Sequence, residues 1–193
     1  MGHYSNKPQQ HLGELAAFLE RVEQWAPKSY CEIGCKFGGT LWAVSRKMAR
    51  GSLIVAVDLP HGQWGRSDSE QSLRECITHL FNDGFRVQLF IGDSTDGAIR
   101  HHVQKLGPFD LLFIDANHTE AFVRADWANY GRSAKRVCFH DISAGPRKPG
   151  RLPIEVPKVW EEIKRDYAAE ATFDEIRLDP THNDNGIGIL TWR

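Results

Sequence analysis

Short apolar runs alternate with helix-like stretches along most of the chain. Residues 53–57 form a continuous apolar run, which is typical of a strand buried on both faces of a sheet. In residues 11–25 the apolar positions recur at helical spacing, and Pro27 follows that stretch as a stop signal. The pattern predicts strands at 29–33, 53–57, 86–91, 109–114, 136–139, 171–178 and 188–192, and helices at 11–25, 40–48, 69–81, 96–106, 119–131 and 157–167.

This alternation predicts the fold class. Strands that alternate with helices form a mostly parallel sheet with helices on both faces. The last two predicted strands are expected to close the sheet as an antiparallel pair. We therefore expect a Rossmann-like α/β fold in a single domain, with residues 1–28 as an N-terminal helical appendage and residues 29–193 as the main domain.

Five successive predicted strands end in polar or glycine residues. In an open α/β sheet, ligands bind outside the carboxyl ends of the strands. A single Asp after a strand is commonly a turn former or a helix cap, but five such ends in series favour a ligand site. The residues at these ends are Glu32 with Gly34, Asp58, Asp93, Asp115, and His140 with Asp141.

A glycine-rich loop follows the first predicted strand. Gly34, Gly38 and Gly39 allow a sharp turn and a close approach of a ligand to the backbone. The spacing is not that of the dinucleotide-binding GxGxxG motif, and Thr40 stands where a P-loop has its phosphate-binding lysine. A loop of this kind, preceded by the acidic Glu32, suits a neutral or cationic nucleoside better than a triphosphate. Close helix packing is the alternative interpretation for Gly38 and Gly39.

The acids after the next two strands fit a nucleoside as well. Asp58 lies 24 residues after Gly34, close to the spacing at which an acid reaches ribose hydroxyls in nucleoside-binding βαβ units. Asp93 is placed to accept a hydrogen bond from an adenine amino group.

Two further acids indicate a cation. Asp115 and Asp141 end adjacent predicted strands, and carboxylates that close repel each other unless a cation or a proton lies between them. Oxygen ligands suit Mg²⁺ or another hard divalent cation. His140 departs from an all-oxygen set, because imidazole favours softer metals than Mg²⁺. The alternative roles for His140 are a second base and a hydrogen-bond donor at the strand end, so the sequence leaves open both the identity of the metal and whether one is bound.

Composition and charge restrict the partners. Lys and Arg together number 24 and Asp and Glu 25, so the formal net charge is −1, and no overall basic footprint for nucleic acid is present. No apolar run approaches the roughly 20 residues that a membrane-spanning helix needs, and the first residues are polar, so we expect a cytoplasmic protein with no membrane partner. The cysteines have no metal-binding spacing and are expected to be reduced.

The chain resembles the class I S-adenosylmethionine-dependent methyltransferases. Within them it is most similar to the macrocin and rhamnosyl O-methyltransferases and the cephalosporin-hydroxylase-like proteins. The resemblance runs from about residue 30 to residue 141 and implies a seven-stranded methyltransferase sheet with S-adenosyl-L-methionine over the strand ends. It rests on YCEIG at 30–34 with GGT at 38–40, VAVD at 55–58, GDS at 92–94, FDLLFIDANH at 109–118 and FHD at 139–141.

The resemblance also implies roles for the candidate residues. Glu32, Gly34 and the nearby glycines would hold the methionine part and the ribose of the cofactor, and Thr40 would add a contact at a helix N-terminus. Asp58 would bind the ribose hydroxyls, and Asp93 and Ser94 would bind the adenine. A divalent ion held by Asp115, His140 and Asp141 would position the acceptor.

His118 follows Asp115 by three residues. In the sugar O-methyltransferases that the chain resembles, the histidine of this Asp-x-x-His pattern is the expected general base. Histidine side chains titrate close to neutral pH, which suits that task. Ordering of the turn is the alternative role. Asp115 and His118 are thus the predicted catalytic pair.

The function expected on this basis is methyl transfer to a hydroxyl of a small acceptor, such as a sugar or a catechol-like compound. One alternative is a non-catalytic module that binds S-adenosylmethionine; an NAD-dependent oxidoreductase is another, against which the missing GxGxxG motif weighs. Two loops are predicted to select the acceptor, at 60–66 with Trp64 and at 142–157 with Arg147, Lys148 and Arg151. A homo-oligomer is compatible with the sequence.

Overall fold

The computed structural model describes residues 10–59, 69–143, 145, 152–178 and 185–193. The predicted acceptor loop at 60–66 and the basic residues Arg147, Lys148 and Arg151 of the second loop lie outside these ranges.

Strands and helices alternate in the order that the sequence predicts. The strands are β1 (Ser29–Ile33), β2 (Leu53–Asp58), β3 (Arg86–Ile91), β4 (Phe109–Ile114), β5 (Ala134–His140), β6 (Ala171–Ile176) and β7 (Ile187–Trp192). The helices are α1 (Leu12–Trp25), α2 (Gly39–Ser45), α3 (Ser69–Asn82), α4 (Gly97–Leu106), α5 (Glu120–Tyr130) and α6 (Val156–Asp166).

The strands form one seven-stranded sheet in the order β3-β2-β1-β4-β5-β7-β6. Neighbours among β1 to β5 pair in parallel. Strand β7 lies antiparallel between β5 and β6. The predicted fold class, including the antiparallel closing pair, is confirmed. This topology brings the carboxyl ends of β1 to β5 to the same edge of the sheet.

The ends of the elements agree with the prediction to within one residue except in α2, β5 and β6, and β6 ends at Ile176 rather than at residue 178. Helix α2 ends at Ser45 rather than at residue 48, because the backbone N–H groups of Lys47 and Met48 bond three residues back, to Val44 and Ser45, and tighten the chain into turns. Strand β5 runs longer than predicted, from Ala134 to His140, because β4 pairs with its first residue and β7 pairs with its last.

Apolar side chains cover the sheet on both faces. Helices α1, α2 and α3 pack on one face, and α4, α5 and α6 on the other. Phe18 and Val22 of α1 are fully buried in the first of these layers, so the predicted appendage packs on the same core as the rest of the chain. No helix in the described ranges is both long enough and apolar enough to cross a membrane.

Candidate active site

Two adjoining cavities lie over the carboxyl ends of β1 to β5. The first, of about 220 Å³, lies over β1, β4 and β5, and the second, of about 170 Å³, lies over β1, β2 and β3. Of the residues predicted from the sequence, Glu32, Gly34, Gly39, Thr40, Asp115, His118, His140 and Asp141 line the first cavity, and Gly34, Asp58, Asp93, Ser94 and Asp115 line the second.

Gly34 lets two loops touch at the junction of the cavities. Its φ is +91°, and a Cβ atom there would lie 2.3 Å from the carbonyl oxygen of Asp115 and 2.5 Å from Cα of Ala116. The loop after β1 therefore rests directly on the backbone of the loop after β4. Only glycine combines this backbone conformation with this approach.

Gly38 has a different surrounding. A Cβ atom on it would lie 2.8 Å from both Cβ and Sγ of Cys76 in α3. Among the described residues, those that line the two cavities include Gly39 and Thr40 but not Gly38. This is the geometry of the helix-packing alternative, and a cofactor contact by Gly38 stays a prediction.

Glu32 is a buried carboxyl group in the first cavity. Its Oε2 accepts a 2.7 Å hydrogen bond from the hydroxyl of Tyr30. Burial raises the pKa of Glu32 well above its ordinary value, and the negative charges of Asp115 and Asp58 raise it further, against the effect of the Tyr30 hydrogen bond. The crowding of acids means that a cationic ligand group is favoured here.

Asp58 braces the glycine-rich loop from the end of β2. Its Oδ2 accepts a hydrogen bond from the backbone N–H of Lys36, a non-glycine residue at a φ of +48°. Burial raises the pKa of Asp58, partly offset by such backbone hydrogen bonds. The same side chain lines the second cavity, so the prediction that it binds the ribose hydroxyls stays a prediction.

The turn after β3 is held from helix α5. The hydroxyl of Ser94 donates a 2.6 Å hydrogen bond to Oδ1 of Asp126, and the hydroxyl of Tyr130 donates to the carbonyl of Ser94. Asp93 closes the turn by accepting hydrogen bonds of 2.8 and 2.7 Å from the backbone N–H and the hydroxyl of Thr95. The wall of the second cavity is therefore fixed before any ligand binds.

Replacing Asp126 by asparagine is expected to stabilise the protein at neutral pH. Burial raises the pKa of Asp126 to about 6, against the Ser94 hydrogen bond that lowers it. An unfolded Asp titrates at about 3.9, so as the pH rises from about 4 to about 6 the folded state retains a proton that the unfolded state has released, and the free energy of unfolding falls. The loss amounts to about 3 kcal/mol.

Denaturant unfolding between about pH 4 and about pH 8 checks this expectation. Asp126→Asn keeps an oxygen acceptor for Ser94 and should exceed the wild type in stability above about pH 6, with the difference vanishing near pH 4. Asp166→Asn, at an exposed position on α6, changes the net charge equally and should follow the wild type. Identical profiles for Asp126→Asn and the wild type would contradict the expectation.

Two histidines and two aspartates meet at the ends of β4 and β5. Nε2 of His118 lies 3.3 Å from Oδ1 of Asp115, and Nδ1 of His118 lies 3.1 Å from Oδ2 of Asp141. Nδ1 of His140 lies 3.2 Å from Oδ1 of Asp115 and 3.4 Å from Oδ1 of Asp141. We call these residues, Asp115, His118, His140 and Asp141, the histidine–aspartate cluster.

The charges of the cluster stabilise one another. Burial opposes ionisation of Asp115, but the charge of His140 and the hydrogen bond of His118 hold the pKa of that carboxyl well below its usual range. Burial would lower the pKa of His140, but Asp115 and Asp141 raise it to about 9. In this structure the imidazole of His140 therefore supplies positive charge next to two adjacent buried carboxylates.

Asp141 adopts an unusual backbone conformation. Its φ is +65°, in the left-handed region that side chains other than Gly, Asn and Asp seldom occupy. The residue is 2% exposed and follows directly after β5. Such conformations persist where the surrounding structure enforces them, and they concentrate at functional sites.

The part of the chain that forms this site matches a known protein family. A family model described as a methyltransferase domain matches residues 31–142, more than half of the chain. The chain belongs to this methyltransferase family. The match agrees with the class I S-adenosylmethionine-dependent methyltransferases predicted from the sequence and decides against an oxidoreductase. No curated protein sequence matches this chain significantly.

Solved structures of the same fold include O-methyltransferases. TomG from Streptomyces achromogenes, an O-methyltransferase involved in tomaymycin synthesis and solved with S-adenosylmethionine, is 13% identical with a TM-score of 0.68, over 94% of this chain and 80% of that chain. The O-methyltransferase from Bacillus cereus in complex with S-adenosylhomocysteine is 15% identical with a TM-score of 0.69, over 98% and 86%. At these identities the similarity concerns the fold.

The methyltransferase site contains residues that the sequence did not single out. Gln10, just before α1, donates a 2.8 Å hydrogen bond to Oδ2 of Asp115 and accepts one of 2.6 Å from the hydroxyl of Thr40. Glu14 of α1 is fully buried, and its Oε1 accepts a 2.9 Å hydrogen bond from the backbone N–H of Gly186. The signal in the sequence that could have indicated Glu14 is an acidic residue four positions before Phe18, on the side of α1 that packs on the core.

Proposed function

We propose that this methyltransferase transfers the methyl group of S-adenosylmethionine to a hydroxyl of a small acceptor, a sugar or a catechol-like compound, with the help of a divalent metal ion. The observation that carries the proposal is the position of the histidine–aspartate cluster. It lines the first cavity together with Glu32 and Gly34, so a base and a set of metal ligands adjoin the predicted place of the methionine sulfonium. The O-methyltransferases with the same fold support the choice of oxygen as the acceptor atom.

The two cavities suit the two halves of the cofactor. The acids around Glu32 favour the positively charged methionine part, because a cation relieves their mutual repulsion. The second cavity offers Asp58 for the ribose, and Asp93 and Ser94 for the adenine. Gly34 lies where both cavities meet, so the backbone can approach the ligand along its middle.

His118 is the residue in the cluster best suited to accept the hydroxyl proton. A neutral imidazole has one N–H and one lone pair, so it can donate to one of the two carboxylates that its nitrogens contact and accept a proton at its other nitrogen. To act as a base, His118 must turn one nitrogen from its carboxylate toward the acceptor. In the balanced reaction the acceptor oxygen bonds to the methyl carbon, the sulfur–methyl bond breaks with its electron pair retained on sulfur, and the hydroxyl proton passes to His118.

The residues of the cluster fit a divalent ion. Three ligand atoms lie within 4.8 Å of one another: a carboxylate oxygen of Asp115, a carboxylate oxygen of Asp141 and an imidazole nitrogen of His140. All three side chains are largely buried. An ion bound there would lower the pKa of an acceptor hydroxyl and hold it in place. The chain's own contribution is to keep the three ligands together beside His118.

Calorimetry with S-adenosylmethionine and a methyl-transfer assay test the proposal. We expect the protein to bind S-adenosylmethionine, and to release S-adenosylhomocysteine when supplied with Mn²⁺ or Mg²⁺ and a panel of catechols and sugars. Matched compounds without the free hydroxyl should give no product. Absence of S-adenosylmethionine binding would overturn the proposal, and binding without turnover across the panel would instead favour a non-catalytic binding module.

A further inference from the structure

His140 gives the ligand cluster a nitrogen where an all-oxygen site would have a carboxylate. Its Nδ1 lies 3.2 Å from Oδ1 of Asp115 and 3.4 Å from Oδ1 of Asp141. Ligand atoms each about 2.1 Å from a shared ion are about 3.0 to 3.4 Å apart. The nitrogen is therefore spaced from both oxygens as one ligand is spaced from another in a metal site.

The imidazole of His140 is enclosed and only partly satisfied by the protein. The residue is 6% exposed, and among the described residues its Nε2 has no hydrogen-bond partner. Buried polar atoms are nearly always paired, so an unpaired Nε2 on a ring whose Nδ1 contacts two carboxylates requires an explanation. A metal-ligating histidine that donates its second N–H to a water molecule or to a further carboxylate supplies one.

A third buried carboxylate acts on the same histidine. Oε2 of Glu14 is also without a hydrogen-bond partner in the described part of the chain, and its charge influences His140. Histidines that ligate metals usually donate their second N–H to a carboxylate, a carbonyl or a water molecule. Glu14, directly or through a water molecule, is the group that would keep Nδ1 of His140 free for the metal.

We propose that this centre binds a divalent transition-metal ion, of the class of Mn²⁺, Fe²⁺, Co²⁺ and Zn²⁺, in preference to Mg²⁺, with Nδ1 of His140 as the ligand that sets the preference. The inference rests on the proposed function for the presence of a metal and adds its chemical class. Mg²⁺ prefers oxygen ligands and water in an octahedral arrangement, whereas imidazole suits the later metals.

Titration of the metal-free protein with Co²⁺ and with Mg²⁺ tests the preference without any measurement of activity. We expect the wild type to bind Co²⁺ about 100-fold more tightly than Mg²⁺ or better. His140→Asp, which restores an all-oxygen set, should narrow that ratio about tenfold or more. His118→Gln is the matched control, because it removes the neighbouring imidazole and should leave the order of the metals unchanged.

Pulsed electron paramagnetic resonance of Mn²⁺ bound to the wild type gives a readout that does not depend on the folding of a variant. Modulation from one coordinated imidazole nitrogen is expected, and it should persist in His118→Gln. Absence of that nitrogen signal, absence of Co²⁺ binding, or equal affinity for Co²⁺ and Mg²⁺ would each overturn the inference. Methyl transfer that proceeds with Mg²⁺ but not with Co²⁺ would overturn the metal preference and leave the proposed function intact. Tight Co²⁺ binding without any methyl transfer would support the metal preference and count against the proposed function.

Discussion

Alanine in place of Gly34 is expected to destabilise the protein by about 3 kcal/mol or more and to abolish S-adenosylmethionine binding. The new Cβ would stand 2.3 Å from the carbonyl oxygen and 2.5 Å from the carbonyl carbon of Asp115. These are backbone atoms, so no side-chain rotation relieves the overlap, and the loops after β1 and β4 must separate. Their separation would alter both cavities at once, because Gly34 and Asp115 line each of them.

Gly51 offers a matched control for this experiment. Its φ is +84°, close to the +91° of Gly34, but a Cβ atom there would have no neighbour within 4 Å. Gly51→Ala should therefore cost only the backbone strain, about 1 kcal/mol, and leave cofactor binding intact. Denaturant unfolding and calorimetry measure the two effects. Equal behaviour of the two variants would mean that the contact between the loops has no role in stability or binding.

Replacing His118 by glutamine is expected to reduce the rate constant of methyl transfer by about 10² to 10⁴-fold. Glutamine retains a polar side chain of similar reach but cannot take up the hydroxyl proton. The affinity for S-adenosylmethionine should change little, because the residues predicted to hold the cofactor lie on or after β1, β2 and β3, whereas His118 follows β4. Single-turnover rates with saturating cofactor, together with calorimetry, separate the two quantities.

The alternative role of His118, ordering of the turn after β4, predicts a different result. The variant would then unfold at lower denaturant concentration while the folded fraction transferred methyl groups at the wild-type rate. His101→Gln, at an exposed position on α4, controls for removal of a histidine and should affect neither measurement. An unchanged single-turnover rate in His118→Gln would exclude His118 as the general base.

Residues at strand ends could be placed from the sequence because topology alone brings them together. Once the β–α alternation indicates a parallel sheet, the carboxyl ends of the strands must share one edge. This argument needs no knowledge of side-chain contacts to bring together four acids, Asp58, Asp93, Asp115 and Asp141. The elements themselves follow the pattern closely, since their apolar periodicities are long and regular.

Residues that reach the site from helices could not be placed by the same argument. Gln10 and Asp126 contact residues of the site, and Glu14 contacts Gly186 next to it, only because of how α1 and α5 are rotated against the sheet. That rotation depends on the packing of whole helix faces, which local patterns do not reveal. The packing role of Gly38 is of the same kind, because it depends on the distant Cys76 of α3.

The backbone conformation of Asp141 has a consequence for mutational libraries. At a φ of +65°, Gly, Asn and Asp are the residues that the left-handed region tolerates best. Sorting a library randomised at this codon for soluble expression alone should enrich all three. Sorting the same library for methyl transfer should retain aspartate, so the ratio of the two enrichments at one codon would report the need for a carboxylate separately from the need for the turn.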